Sequence, residues 1–265
     1  MIATDPTPVK QSAIIPDSLP ALHRAVMLCA VALVVSAAIF VLVPGIDLAV
    51  SAWFYVPGRG FPRDKTLFYE VVRKLGIGIT VATMVGLIGL GVRWVLQPQT
   101  QKRWPSPTAW ADWLFMTGVL AIGPGLLVNL IIKPIWGRAR PRHVTQFGGS
   151  ALFSPAWVVS DQCKWGCSFV SGEAAATCAV LAFCFIVPPR WRVATLLIGC
   201  LLTLAISFAR IAVGGHFLSD VVTAWLVTLL VMFVLRAQIY HGAWLGPLKR
   251  WLPLGPIHGV SGENT

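Results

Sequence analysis

Charged side chains are scarce in this chain, at 12% of 265 residues against 56% hydrophobic. A soluble domain carries about a quarter charged residues, so this chain cannot cover itself with a water-compatible surface. Its mean hydropathy of +0.75 belongs to a membrane protein. Internal repeats and low-complexity tracts are missing, and nothing divides the chain into more than one folding unit. The first apolar segment lacks a small-x-small cleavage site, follows a long polar stretch and is long for a signal-peptide core. It therefore reads as an uncleaved anchor. Of six cysteines, Cys29, Cys178, Cys184 and Cys200 lie in apolar runs, as small buried hydrophobes do. A net charge of +11 raises nucleic acid as a partner. The basic residues, however, are split among short loops and form no single solvated face, which excludes it. Anionic lipid head groups and phosphate suit them better.

A membrane span needs roughly 20 apolar residues, and six segments qualify: 25–44, 77–96, 110–132, 170–187, 193–213 and 217–235. The expected fold is all-α, a six-helix polytopic bundle over residues 25–236, with cytoplasmic tails at 1–24 and 237–265. Glu173 interrupts the fourth segment, and Gly123-Pro124-Gly125 interrupts the third. Trp94, Trp110, Trp136 and Trp191 fall at segment ends, as interfacial anchors do. Residues 45–76 are too charged to span and too apolar for free solution. They read as an amphipathic segment along the outer interface, or as a lid over a lipid entry path. Counting every Lys and Arg does not separate the two sides. With Lys133, Arg138, Arg140, Arg142 and Arg210 set aside for a binding site, the remainder puts both termini inside. The loop Pro188-Pro189-Arg190-Trp191-Arg192 is the clearest inside signal.

Three stretches carry chemistry. The first, at the end of the third segment, holds Lys133, Arg138, Arg140, Arg142 and His143. Cations so close together repel one another unless an anion sits among them, and the planar fork of arginine matches phosphate oxygens. A lipid-interface anchor is the plainer reading, but such anchors collect on the inner side and these lie outside. The second stretch is Ser168 to Ala176. Its small residues open a helix whose free N–H groups favour an anion, with the Ser171 hydroxyl as a further donor. Glu173 there acts as a protonated acid, or else caps the helix or pairs with an arginine. The third stretch runs from Arg210 to Asp220 between two apolar segments, where ionisable groups are costly and mark function. Gly214-Gly215 permits a tight turn, after which His216 and Asp220 lie one helical turn apart on one face. A carboxylate so placed can fix the imidazole tautomer and raise its basicity, as a histidine nucleophile requires. A helix cap with an incidental ion pair is the alternative. Between the first two stretches, Cys163 and Cys167 could form a short disulfide in an oxidising compartment. A zinc pair is the rival, with only His143 as a further soft ligand nearby.

Taken together, Lys133 with six residues before Arg140-Pro141, then Ser171-Gly172, then Arg210 with five residues before His216 and three more before Asp220, resemble the type 2 phosphatidic acid phosphatase (PAP2) superfamily. The resemblance covers roughly residues 47–235. It implies a six-helix membrane bundle of the kind shared with vanadium haloperoxidases, with the motifs at the outer face and neither metal nor other cofactor. It also implies that Lys133, Arg140, Arg210, Ser171 and the Gly172 amide bind phosphate, with Arg138, Arg142 and His143 as accessory groups. His216, oriented by Asp220, would form a phosphohistidine that water then hydrolyses. Val170 stands where the family has proline, Ala209 where it has serine, and Glu173 where it has the histidine that protonates the leaving oxygen. Either Glu173 or His143 supplies that proton, or the leaving group needs little help. The Ser-Gly-Glu form of the second motif is associated with bacterial lipid A phosphatases.

The expected protein is an inner-membrane phosphatase whose site faces the periplasm and whose partner is a lipid phosphate, lipid A first. Undecaprenyl diphosphate, phosphatidylglycerol phosphate and phosphatidic acid are the alternative substrates. Lipid-to-lipid phosphotransfer and non-catalytic lipid-phosphate binding are the alternative activities. Nothing in the sequence fixes an oligomeric state.

Overall fold

The computed structural model describes residues 15–96 and 106–242. Most of the expected amino-terminal tail, the basic loop at 97–105 and the carboxy-terminal tail beyond 242 lie outside the described residues. Among the described residues, five helices are long and apolar enough to cross a membrane, and a shorter apolar run completes the bundle. Helix α1 spans Leu19–Leu42, about 36 Å at 1.5 Å per residue, which exceeds a hydrocarbon core of roughly 30 Å. Met27, Leu28, Val34 and Leu42 are each more than 60% exposed, as suits a helix that meets lipid on its outer face. Its inner face lies on the last helix.

Residues 45–76 do not form one interfacial segment. Helix α2 covers Gly45–Ala52, a bridge pairs Val56 with Gly60, and a 3-10 turn covers Pro62–Lys65. Helix α3 then starts at Leu67 and runs unbroken to Leu96, so the second span begins ten residues before the expected 77. Its first turns mix Leu67, Phe68 and Val71 with Glu70, Arg73 and Lys74 and are still helical. An i,i+4 ion pair between Glu70 and Lys74 at 2.9 Å supports them, and protruding turns need no apolar face.

The third crossing begins as α4, Pro107–Leu120, and continues through a π-wound stretch, Ala121–Ile132, into α5, Lys133–Trp136. Pro124 brings no N–H and would clash with a tight turn, so the helix widens around it. Asn129 Nδ2 donates to the Pro124 carbonyl at 2.6 Å. The fourth crossing departs from the expected 170–187. It is only Gly172–Ile186, built of α6 (Gly172–Ala179), a 3-10 turn and α7 (Phe183–Ile186). At about 22 Å it is too short to span alone. It is held because Ala174, Ala175, Cys178, Ala179 and Ala182 are essentially fully buried among neighbouring helices, where small side chains permit close approach. Helices α8 (Pro189–Ala212) and α9 (Leu218–His241) complete the bundle.

The last helix extends past the expected boundary at 236. Ahead of α1, Asp17 is tied to the bundle: it accepts from Arg236 at 2.6 Å and Arg192 at 3.2 Å, and its carbonyl meets His241 Nε2 at 2.9 Å. Both ends of the described chain therefore meet at one end of the bundle. The connections at 43–66, 137–171 and 213–217 gather at the other.

Candidate active site

The turn between α8 and α9 sets the geometry. Gly214 has φ +63°, a conformation side chains rarely adopt, and a Cβ there would sit 2.6 Å from the Phe61 ring. The Arg210 carbonyl accepts from the N–H groups of Gly215 at 2.9 Å and His216 at 3.2 Å. Its guanidinium passes so close to Gly215 that a Cβ would meet Nη2 at 2.6 Å. Arg210 and His216 are thus locked into one turn, and both are more than 90% buried.

Nδ1 of His216 lies 2.8 Å from the carbonyl oxygen of Ser168. A carbonyl can only accept, so Nδ1 carries the proton and Nε2 keeps its lone pair. Asp220 Oδ2 stands 3.6 Å from the same nitrogen. It also accepts from the Ser168 hydroxyl at 2.5 Å and the Phe217 N–H at 2.8 Å, the latter capping α9 from within. Burial pushes the imidazole down to about 4; Asp220 opposes this and the Arg210 charge adds to it. The ring is therefore neutral at pH 7, the form a nucleophile needs.

Behind Asp220 lies a wholly buried polar group. Arg138 donates Nη1 to Asp220 Oδ1 at 2.6 Å and to the Ser219 hydroxyl at 2.8 Å, and Nη2 to Asp47 Oδ2 at 2.8 Å. Its guanidinium also stacks 4.2 Å from the Phe217 ring centre, a cation–π contact. Asp47 in turn accepts from Ser219 N at 2.9 Å and from its hydroxyl at 2.5 Å. Burial raises the Asp47 carboxyl, with Arg138 opposing.

In front of the histidine opens a cavity of about 320 Å³, lined by Lys133, Arg140, Gly172, Glu173, Arg210, Asn129 and His216 among others. Lys133 Nζ reaches Asn129 Oδ1 at 3.5 Å, one turn back. Arg140 is aimed by its Nε, which donates to the Gly166 carbonyl at 2.7 Å. Gly166 lies in the small ring closed by the Cys163–Cys167 disulfide. Glu173 sits between two guanidinium groups, 3.2 Å from Arg73 Nε and 3.5 Å from Arg210 Nε.

Six of the expected residues, Lys133, Arg140, Gly172, Glu173, Arg210 and His216, thus share one cavity. Asp220 backs it. Ser171 does not line it: the residue is fully buried, its hydroxyl accepts from Ala174 N at 3.4 Å, and its N–H donates to the Asp220 carbonyl at 3.1 Å. Arg138, expected as an accessory phosphate contact, is instead turned away from the cavity, because two buried carboxylates hold it. His143, expected as an accessory group or proton donor, is exposed and lines neither this cavity nor the one adjoining it. Arg142 lines an adjoining cavity. Sequence reasoning missed Asp47, Asn129 and Arg73. Asp47 had a signal: with ten acidic residues in the chain, one directly after an apolar span needs a buried partner.

The PAP2 superfamily model matches residues 112–243. The chain is 31% identical over 214 residues to a lipid A 4'-phosphatase of Rhizobium leguminosarum, covering 76% of this chain and 90% of that protein. It is 37% identical over 128 residues to a lipid A 4'-phosphatase of Francisella tularensis subsp. novicida, covering 48% and 58%. It is 40% identical over 120 residues to one of Rhizobium etli, covering 45% and 47%. Among solved structures, the crystal structure of a transmembrane PAP2-type phosphatidylglycerolphosphate phosphatase from Bacillus subtilis has the same fold, with TM-score 0.51 and 19% identity, covering 81% of this chain and 95% of that one.

Proposed function

We propose, for a chain that belongs to the PAP2 superfamily, that His216 attacks the phosphorus of a phosphorylated lipid, lipid A in the first instance, from the periplasmic side of the inner membrane. At the coarser level the chain is a multi-pass membrane lipid phosphatase, a phosphoric monoester hydrolase. The observation that carries the finer reading is the 2.8 Å contact of His216 Nδ1 with a carbonyl, which leaves the Nε2 lone pair to a residue that lines a cationic cavity.

Lys133, Arg140, Arg210 and the Gly172 amide hold the non-bridging oxygens, so charge on the transferring group meets preorganised donors. Nε2 forms the P–N bond as the bond to the lipid oxygen breaks. The imidazolium that results is stabilised by Asp220, which Arg138 and Ser168 hold in place. Glu173 is the carboxylate in the cavity wall, and it handles the proton of the leaving oxygen. Water then attacks the phosphohistidine, giving free phosphate and the resting imidazole.

Two observations support the periplasmic side. The Cys163–Cys167 disulfide lies on the loop that aims Arg140, and disulfides persist in oxidising compartments. The opposite end carries Arg190, Arg192 and Arg236, as cytoplasmic ends do. The substrate choice rests on the three lipid A 4'-phosphatase relatives and the Ser171-Gly172-Glu173 motif.

The test is purified protein in detergent with lipid A labelled in one phosphate. Expected results are release of labelled phosphate and an acid-labile, base-stable phosphoprotein that His216→Ala cannot form. Label passing to another lipid instead of to water indicates a phosphotransferase. Retained lipid with no transfer at any pH indicates a binding protein.

A further inference from the structure

Between Gly125 and Lys133 the third crossing reads Leu126-Leu127-Val128-Asn129-Leu130-Ile131-Ile132, so Asn129 is its one polar side chain there. A side-chain amide in an apolar span is costly unless it is paired, and polar groups in such places mark function. Asn129 lines the catalytic cavity together with Lys133 and Gly172, yet it takes no part in the steps of hydrolysis.

Its place comes from the π winding of Ala121–Ile132. A π turn pairs residue i+5 with residue i, which sets Asn129 over Pro124, where a regular α-helix would set Val128. Val128 is instead fully buried in the core. Nδ2 of Asn129 donates to the Pro124 carbonyl at 2.6 Å, and Oδ1 lies 3.5 Å from Lys133 Nζ. The amide fits only this way round, because a carbonyl only accepts and an ammonium only donates. The start of α6 closes the remaining side: a Cβ on Gly172 would lie 2.7 Å from Oδ1 and 3.2 Å from Nδ2. Glycine at 172 therefore leaves the room that the amide occupies.

Resting on the hydrolase reading above, we propose that Asn129 is a positioning residue, which holds the Lys133 ammonium in place for the phosphate without cancelling its charge. Lysine is a point charge on a flexible four-carbon stem, so an acceptor beside it decides where the charge sits. A carboxylate at 129 would hold the ammonium at least as firmly, but it would neutralise that charge and repel the phosphate oxygens. The neutral amide oxygen fixes the ammonium and leaves its charge to the substrate. The bond to Pro124 fixes the amide in turn, so the widened turn of the helix is what aims Lys133.

The experiment measures two quantities in detergent: binding of inorganic phosphate to inactive His216→Ala protein, and phosphate release from lipid by protein with His216 intact. Asn129→Leu keeps the size of the side chain and suits an apolar span, so its thermal unfolding midpoint should stay near that of the wild type. It should weaken phosphate binding and raise KM about threefold to tenfold, the range of one hydrogen bond, with kcat lowered less. Asn129→Asp should weaken phosphate binding further, by about a hundredfold, as an uncompensated charge does. In a Lys133→Met background, Asn129→Leu should cost nothing more, because the residue through which it acts is gone. A loss of full size in that background, or an Asn129→Asp protein no worse than Asn129→Leu, overturns the positioning role and leaves Asn129 as a staple of the widened helix. Equal phosphate binding with and without Lys133 overturns it as well. A loss that depends on Lys133, in a protein whose wild type releases no phosphate from lipid, overturns the hydrolase reading and leaves the positioning role standing.

Discussion

Arg138 Nη1 lies 2.6 Å from Asp220 Oδ1, with both side chains wholly buried. This contact ties the motif after the third crossing to the motif at the start of α9. The same guanidinium reaches Asp47 at 2.8 Å, so α2 also helps to hold the residue behind His216. A buried ion group is a weak source of net stability, because desolvation offsets much of the attraction. Removing one partner is still costly, because it strands the others.

Arg138→Met should therefore destabilise the fold by about 3–5 kcal/mol, with Asp47 and Asp220 left as adjacent buried carboxylates. Thermal unfolding in detergent measures this. Asp47→Asn keeps the shape and loosens Arg138. It should lower kcat about tenfold to a hundredfold, as for groups that orient a catalytic ligand, with KM little changed. A wild-type kcat in Asp47→Asn would separate this group from catalysis.

The His216 imidazole, pushed down to about 4, has a signature in pH. An unfolded histidine titrates near 6.5, so between about 6.5 and 4 the unfolded chain binds more protons. Stability then rises with pH across that window and declines as pH falls through it. For the same reason kcat/KM should show no nucleophile inflection near 6.5. The acid limb should follow the substrate's own phosphate, which titrates near 6. An enzyme-borne inflection near 6.5, found after the substrate's ionisation is measured and divided out, would contradict a buried neutral ring.

Glu173→Gln removes the proposed proton donor and half-preserves the contacts with Arg73 and Arg210. Turnover at neutral pH is expected to drop by about a hundredfold or more, in the range of general acid catalysis, with a much smaller change in KM. A substrate with a low-pKa leaving group should recover most of the loss. Unchanged turnover on lipid substrate would remove Glu173 from proton transfer and leave it as a positioning group for Arg210.

Alkylation without reductant, followed by mass mapping, should leave Cys163 and Cys167 unlabelled. Cys163→Ser frees the ring that carries Gly166, whose carbonyl aims Arg140. The expected result is a KM several-fold higher with kcat reduced less. Free labelling of both cysteines in the untreated protein would remove the bridge, and with it the strongest support for an oxidising compartment.

The spans were legible because 20-residue apolar runs have few alternatives in lipid, where every backbone group must find its partner within the helix. Two elements were not. The mixed start of α3 at Leu67–Lys74 reads as interface by composition, yet continues the helix, since composition cannot tell a helix lying on the membrane from one projecting out of it. The fourth crossing reads as a full span through 170–187, yet only Gly172–Ile186 is helical, because neighbouring helices bury it and spare it the length that lipid contact demands.

The cluster of Lys133, Arg140, Arg210 and His216 around one cavity was written in their order and spacing, because local turns fix each motif and charge so close to apolar segments has few uses besides chemistry. Which arginine lines that cavity was decided only by packing. Arg138 and Arg140 are two residues apart in one loop, but Asp47 and Asp220, brought in from distant helices, draw the first into the core, while the Gly166 carbonyl turns the second toward the cavity. Burial of an arginine depends on where its partners fold, and adjacency along a chain carries no information about that.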